Sequence, residues 1–174
     1  MSSKTGSTTP LPEVKRAAVI THGRAETSGV ALERLRTVAA ERGIEVVEAT
    51  STRSRDYTAL VSVKLQTPDG ERWVEGAVFE PASARLVMLD GVGVEASLEG
   101  TMIVTANTDQ PGVIGAIGTV LGRHGVNVAS FALGREGDLA VGLITVDEVP
   151  EIPERVLQEL RGLPAVRAAR LVRL

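Results

Sequence analysis

The residues whose types and spacing could do chemistry cluster between Asn107 and Val128. In NTDQPGV an amide, Asn107, and a carboxylate, Asp109, stand just ahead of Pro111 and Gly112. An apolar stripe at helical spacing follows at once: Val113, Ile114, Ile117, Val120 and Leu121. Proline is tolerated at the start of a helix, where its missing N–H would have no partner anyway, and Asp109 is placed to cap that start. The backbone amides of Val113 and Ile114 would then point outwards, at the positive end of the helix dipole, where an anion is favoured. The glycines Gly112, Gly115, Gly118 and Gly122 suggest a phosphate cradle, but their spacing is wrong for a dinucleotide fingerprint. Gly115 and Gly118 fall inside the helix, where each costs up to ~1 kcal/mol relative to Ala. Close approach of a ligand or backbone would offset that cost, and so would tight packing of the helix on a sheet.

A second set, Arg53, Arg55, Lys64 and Arg72, is either an anion pocket or a solvated basic face. His22, Tyr57 and Trp73 each stand alone and read as surface or core packing. No catalytic set can be assembled. The chain has no Cys, which excludes disulfides, iron–sulfur clusters and thiolate zinc, and His22 and His124 are far apart, so no metal centre is expected. The net charge of -3 comes from acidic and basic residues that alternate along the chain, so no basic face for nucleic acid is expected. No apolar run approaches the ~20 residues of a membrane span, and the N-terminus lacks a signal-peptide pattern. The sequence therefore reads as cytoplasmic, with no membrane partner.

These residues need elements to position them. Residues 1–12 are rich in Ser, Thr, Gly and Pro and read as a flexible leader. Residues 13–98 are expected to form one domain and residues 99–174 a second. In the first, Val30 to Arg42 predicts a helix closed by Gly43, and Ile44 to Ala49 a strand. Ala59 to Thr67 and Arg72 to Phe79 predict a hairpin, and Arg85 to Leu89 with Val92 to Glu95 predicts another, around Asp90 and Gly91. In the second, Thr101 to Ala106, the helix after Gly112, Val126 to Leu133, Leu139 to Val146, a helix at Glu154 to Gly162 and Val166 to Leu174 give the order β-α-β-β-α-β. The fold class is α+β: a helix on a mainly antiparallel sheet, followed by a ferredoxin-like unit.

The stretch NTDQPGVIGAIGTVLGRHGVNVASFALGR resembles the ACT domain, a small ligand-sensing module of amino-acid metabolism. Upstream, AAERGIEVVEATSTRSRDYTALVSVKL and GAVFEPASARLVMLDGVGVEASLEG resemble the intervening, allosteric-substrate-binding domain of long-form D-3-phosphoglycerate dehydrogenases. Glu13 to Thr27 match that domain poorly, so its usual first strand is expected to be replaced or absent. The resemblance implies the regulatory part of an NAD-dependent oxidoreductase of serine biosynthesis, with NAD bound by catalytic domains outside this chain and no cofactor on the chain itself. It implies an effector, L-serine or another small amino acid, that gives feedback inhibition. One copy would supply Asn107, Asp109, Pro111, Gly112, Val113 and Ile114 to the effector, and a second copy Asn127 and Val128, in a homodimer or a tetramer built from it. Asn107 stands where well-known relatives carry His or Tyr. Two other readings fit the same domains: a structural oligomerisation module without a ligand, and the regulatory domains of an L-serine dehydratase.

Overall fold

The computed structural model describes residues 14, 16–23, 25–51, 59–68, 70–79, 83–147 and 152–174. Arg53, Arg55 and Tyr57 lie outside the described residues. The first domain runs β1 (Arg16–Gly23), α1 (Ala25–Glu41), β2 (Glu45–Ser51), β3 (Ala59–Thr67), β4 (Gly70–Phe79), β5 (Ser83–Leu89) and β6 (Val92–Ser97). Its sheet has the order β2-β1-β3-β4-β5-β6, with β1 parallel to β2 and every other pair antiparallel.

The first strand expected to be missing is therefore present, and it is an inner strand of the sheet. Small and β-branched residues suit that position: Ala17 and Val19 are 2% and 0% exposed. α1 also begins earlier than the apolar pattern suggests, at Ala25 rather than Val30. Thr27, Ser28 and Gly29 are weak helix formers, so local propensity does not mark that first turn. Its end is as expected. Gly43 takes φ 64°, the Gly43 amide donates to Ala40 O and the Ile44 amide to Ala39 O, closing a Schellman motif. Asp90 and Gly91 both have positive φ, 50° and 86°, as the two-residue hairpin between β5 and β6 requires.

The second domain runs β7 (Thr101–Thr108), α2 (Val113–Arg123), β8 (Val128–Glu136), β9 (Leu139–Val146), α3 (Glu154–Arg161) and β10 (Val166–Arg173). Its antiparallel sheet has the order β10-β7-β9-β8, the ferredoxin-like arrangement, with β8 on an edge. Both helices lie on one face, where Ile103 and Ile144 meet Ile117, Val120, Leu121, Val156 and Leu160 in one apolar cluster.

The other face is covered by the first domain. Val141 and Leu143 of β9 form a cluster with Leu86, Val92, Val94 and Ala96 of β5 and β6, flanked by Val104 and Ala132. Gly134 on β8 lies directly against β6: a Cβ there would sit 2.4 Å from Gly93 O and 2.8 Å from the Cβ of Val94. Only glycine admits that approach.

Candidate functional site

A cavity of about 390 Å³ opens where β7 hands over to α2. Asn107, Asp109, Pro111, Gly112, Val113 and Ile114 line it, the residues expected from one copy. The sheet register explains how Arg135 joins them. Ala140 on β9 faces Asn107 on one side and Arg135 on the other, so a single row crosses three strands. Leu133, two residues earlier on β8, points the same way and completes the wall with Gln110.

Asn107 is not in a turn, as its polar neighbours suggested, because β7 continues to Thr108 and pairs there with Leu139. It is buried at 3% exposure. Its Nδ2 donates to Thr108 O at 3.1 Å, but its Oδ1 is buried without a partner. An unsatisfied buried acceptor costs on the order of 1–3 kcal/mol, which a donor entering the cavity would recover. The hydroxyl of Thr105, on the same face two residues back, is also buried and unpartnered.

Asp109 does not cap α2. The N-cap is Gly112 at φ 89°, no side chain bonds to the first turn, and no acidic residue lies in it. With Gly112 in the left-handed region, the chain turns into the helix one residue before Val113, too far along for the Asp109 side chain to serve as a cap. Asp109 instead faces Arg135 across the cavity mouth, with Nε to Oδ1 at 3.4 Å. The first amides of α2 are thus left for an anion. The cavity offers a carboxylate and an orphan acceptor for a cation, and free helix amides with an arginine for an anion.

The glycines of α2 do not sit in a tight contact. A Cβ at Gly112, Gly115, Gly118 or Gly122 would meet nothing within 4 Å, so packing on the sheet does not explain them. At its far end, α2 is tied to α3 through Glu159. His124 Nε2 is 2.6 Å from its carboxylate, and Arg123 pairs with the same group. The hydrogen bond from His124, helped by the charge of Arg123, holds the Glu159 carboxyl below its ordinary value of 4.5.

Asn127 and Val128 do not line the cavity of their own protomer. Asn127 donates to Asp147 at 2.5 Å, and Val128 is 36% exposed at the start of the edge strand. Of the basic set expected in the first domain, the two described members, Lys64 and Arg72, are each committed to a carboxylate. Lys64 pairs with Glu71 at 2.9 Å and lies 4.3 Å from the Trp73 ring centroid, and Arg72 pairs with Asp90 at 2.6 Å. Among the described residues, no group of His, Cys, Asp and Glu could hold a metal, and no helix is long and apolar enough to cross a membrane.

Sequence reading missed Leu133, Arg135 and Gln110. The alternation Phe131, Leu133, Arg135 was a signal that they share a face, but only the register of β8 on β9 puts that face beside Asn107.

The second domain is thus a ferredoxin-like unit with a pocket lined by groups of both charges at the start of its first helix. Residues 101–165 match the ACT domain and residues 15–90 the D-3-phosphoglycerate dehydrogenase intervening domain; the chain joins one of each. It is 32% identical over 139 residues to the D-3-phosphoglycerate dehydrogenase of Synechocystis sp., covering 78% of this chain and 24% of that protein. To the D-3-phosphoglycerate dehydrogenase of Archaeoglobus fulgidus it is 34% identical over 141 residues, covering 79% and 26%. The chain thus spans about a quarter of the length of the relatives it matches. What it shares with them is the intervening and ACT region, not the catalytic part of such an enzyme.

Proposed function

We propose that this chain is the effector-sensing part of a D-3-phosphoglycerate dehydrogenase and that its cavity binds L-serine or a similarly small amino acid. The observation that carries this reading is the pairing of opposite needs in one small space. Asp109 and the orphan Oδ1 of Asn107 suit an ammonium group, while the uncapped amides of α2 and Arg135 suit a carboxylate. A zwitterion satisfies both at once.

The site is completed by a second copy. β8 is an edge strand of its sheet, and its exposed Val128 and the exposed Ile114 of α2 offer apolar surface near it. Antiparallel pairing of β8 with its own copy about a two-fold axis would bring Asn127 of the partner subunit to the Arg135 end, over the cavity mouth. Effector binding would then tighten the seam between copies. A coupling of ~1–3 kcal/mol between that seam and the catalytic domains would give feedback control. In this reading NAD is held by catalytic domains of the parent enzyme, and the reaction controlled is NAD-dependent oxidation of D-3-phosphoglycerate.

Calorimetric titration with L-serine tests the reading. One site per protomer is expected, with affinity reduced about tenfold or more in Asp109→Asn, the size of one lost charge-assisted hydrogen bond. An absence of heat at millimolar L-serine, in a chain that still dimerises, would leave a structural oligomerisation module instead.

A further inference from the structure

A second and larger cavity, about 510 Å³, lies away from the site above, at the gap between the two covers of the first sheet. α1 covers the β2-β1-β3 end of one face, and the ACT sheet covers the β5-β6 end of the same face. Between them the cavity is walled by Leu35 and Ala39 of α1, Val63 and Leu65 of β3, and Leu89 of β5. These walls offer a ligand almost no hydrogen bonds. The rim is different. Arg42 from the end of α1, Arg72 from β4 and Arg170 from β10 of the ACT domain converge on it, with Asp90 as the one acidic side chain of the lining.

The three cations are not equivalent. Arg72 is committed to Asp90 at 2.6 Å. Arg42 reaches only its own helix, with Nη1 at 3.4 Å from Val38 O, and neither Arg42 nor Arg170 has a carboxylate partner among the described residues. An apolar groove of this size, at whose rim Arg42 and Arg170 have no carboxylate partner among the described residues, is complementary to a molecule with a hydrocarbon body and an acidic head. A phosphate or a small hydroxy acid would leave the walls unfilled, and a neutral hydrocarbon would leave the arginines unpaired.

We infer that this groove binds an amphipathic carboxylic acid, its chain against α1 and β3 and its carboxylate at Arg42 and Arg170. Because Arg42 belongs to the first domain and Arg170 to the ACT sheet, the bound acid clips the two domains together. The inference stands apart from the proposed amino-acid site, shares no residue with it, and fails or survives separately.

The Trp73 ring packs against Lys64 on the other face of the sheet from the cavity walls, so occupancy is read by isothermal titration calorimetry rather than by tryptophan fluorescence. Titration of the 174-residue chain with sodium decanoate, kept below micelle formation, is expected to give a saturable heat at one equivalent. The same titration with decanol, and with decanoate on Arg170→Gln, is expected to show affinity about tenfold lower, the loss of one charge-assisted contact. Val63→Phe, which fills the groove, abolishes the heat. Arg170 is exposed on an outer strand, so its variant folds even if Val63→Phe does not. The proposal is overturned by an unsaturable response, by equal affinity for decanol and decanoate, by an unaltered Arg170→Gln, or by displacement of decanoate by inorganic phosphate.

Discussion

The two sheets of this chain carry their helices in opposite ways. In the ACT domain α2 and α3 drive Val120, Leu121, Val156 and Leu160 to 1% exposure or less. On the first sheet α1 contributes Ala39 to the core, while Val38 stays 46% exposed. The ACT domain therefore closes its helix face by itself and carries beside it the cavity lined by Asn107, Asp109 and Arg135, while its other face, at Val141 and Leu143, is covered by docking. The first domain borrows cover from its neighbour, through Leu86, Val92 and Val94 against Val141 and Leu143, and retains an apolar gap where that cover stops short. A module that holds itself rigid can present charged groups at fixed positions. One that depends on docking is suited to register whether the docking is intact.

The contrast can be broken most severely by deletion in the two cores. Leu160→Ala should cost roughly 2–5 kcal/mol in denaturant unfolding, because a fully buried site surrounded by rigid packing cannot collapse around the void. Leu35→Ala, at the wall of an existing cavity, should cost less than about 1 kcal/mol, since little packing surrounds what is removed. Equal losses would contradict the contrast.

Next in size is the interface itself. Gly134→Ala pushes a Cβ into Gly93 and Val94 and should cost about 1–3 kcal/mol by overpacking. A single unfolding transition should split into two as the domains lose contact. Gly115→Ala, with open space around it, should have the opposite sign in the isolated protomer, a gain of up to ~1 kcal/mol. A simultaneous loss of dimer affinity by sedimentation would place the second copy on that helix face.

The smallest effect concerns the α2–α3 tie. The Glu159 carboxyl is held below its ordinary value by His124 and Arg123, so the ionised form is favoured by folding. That contribution is full above the ordinary value of 4.5 and is lost as pH falls through the lowered folded value. Glu159→Gln should therefore flatten the acid limb of a stability-versus-pH curve, below the ordinary value of 4.5.

Much of this was legible in the sequence because local signals agreed with the global fold. Gly43, the Asp90-Gly91 turn and the apolar stripe of α2 each pointed to the element they form, and the ferredoxin-like order followed. β1 was not legible: its short RAAVITHG run has small residues that pack under a helix, a fit set by tertiary contacts rather than by period. Asn107 misled for a related reason, since an NTD run is turn chemistry in isolation and becomes strand only because β9 pairs with it through Thr108. Arg135 became a site residue through register alone. The docking of Gly134 on β6 had no local signature at all.

In the proposed function two copies share each amino-acid site, Asp109 from one and Asn127 from the other. The most direct measurement mixes Asp109→Ala chains with Asn127→Ala chains and titrates the mixture with L-serine. Each variant alone should bind poorly. In the mixed dimer one site carries both lesions and the other carries neither, so binding should return at about one site per mixed dimer. If the mixture stays silent while wild-type chains bind, or if Asn127→Ala alone binds like wild type, the site belongs to a single copy and the account is wrong.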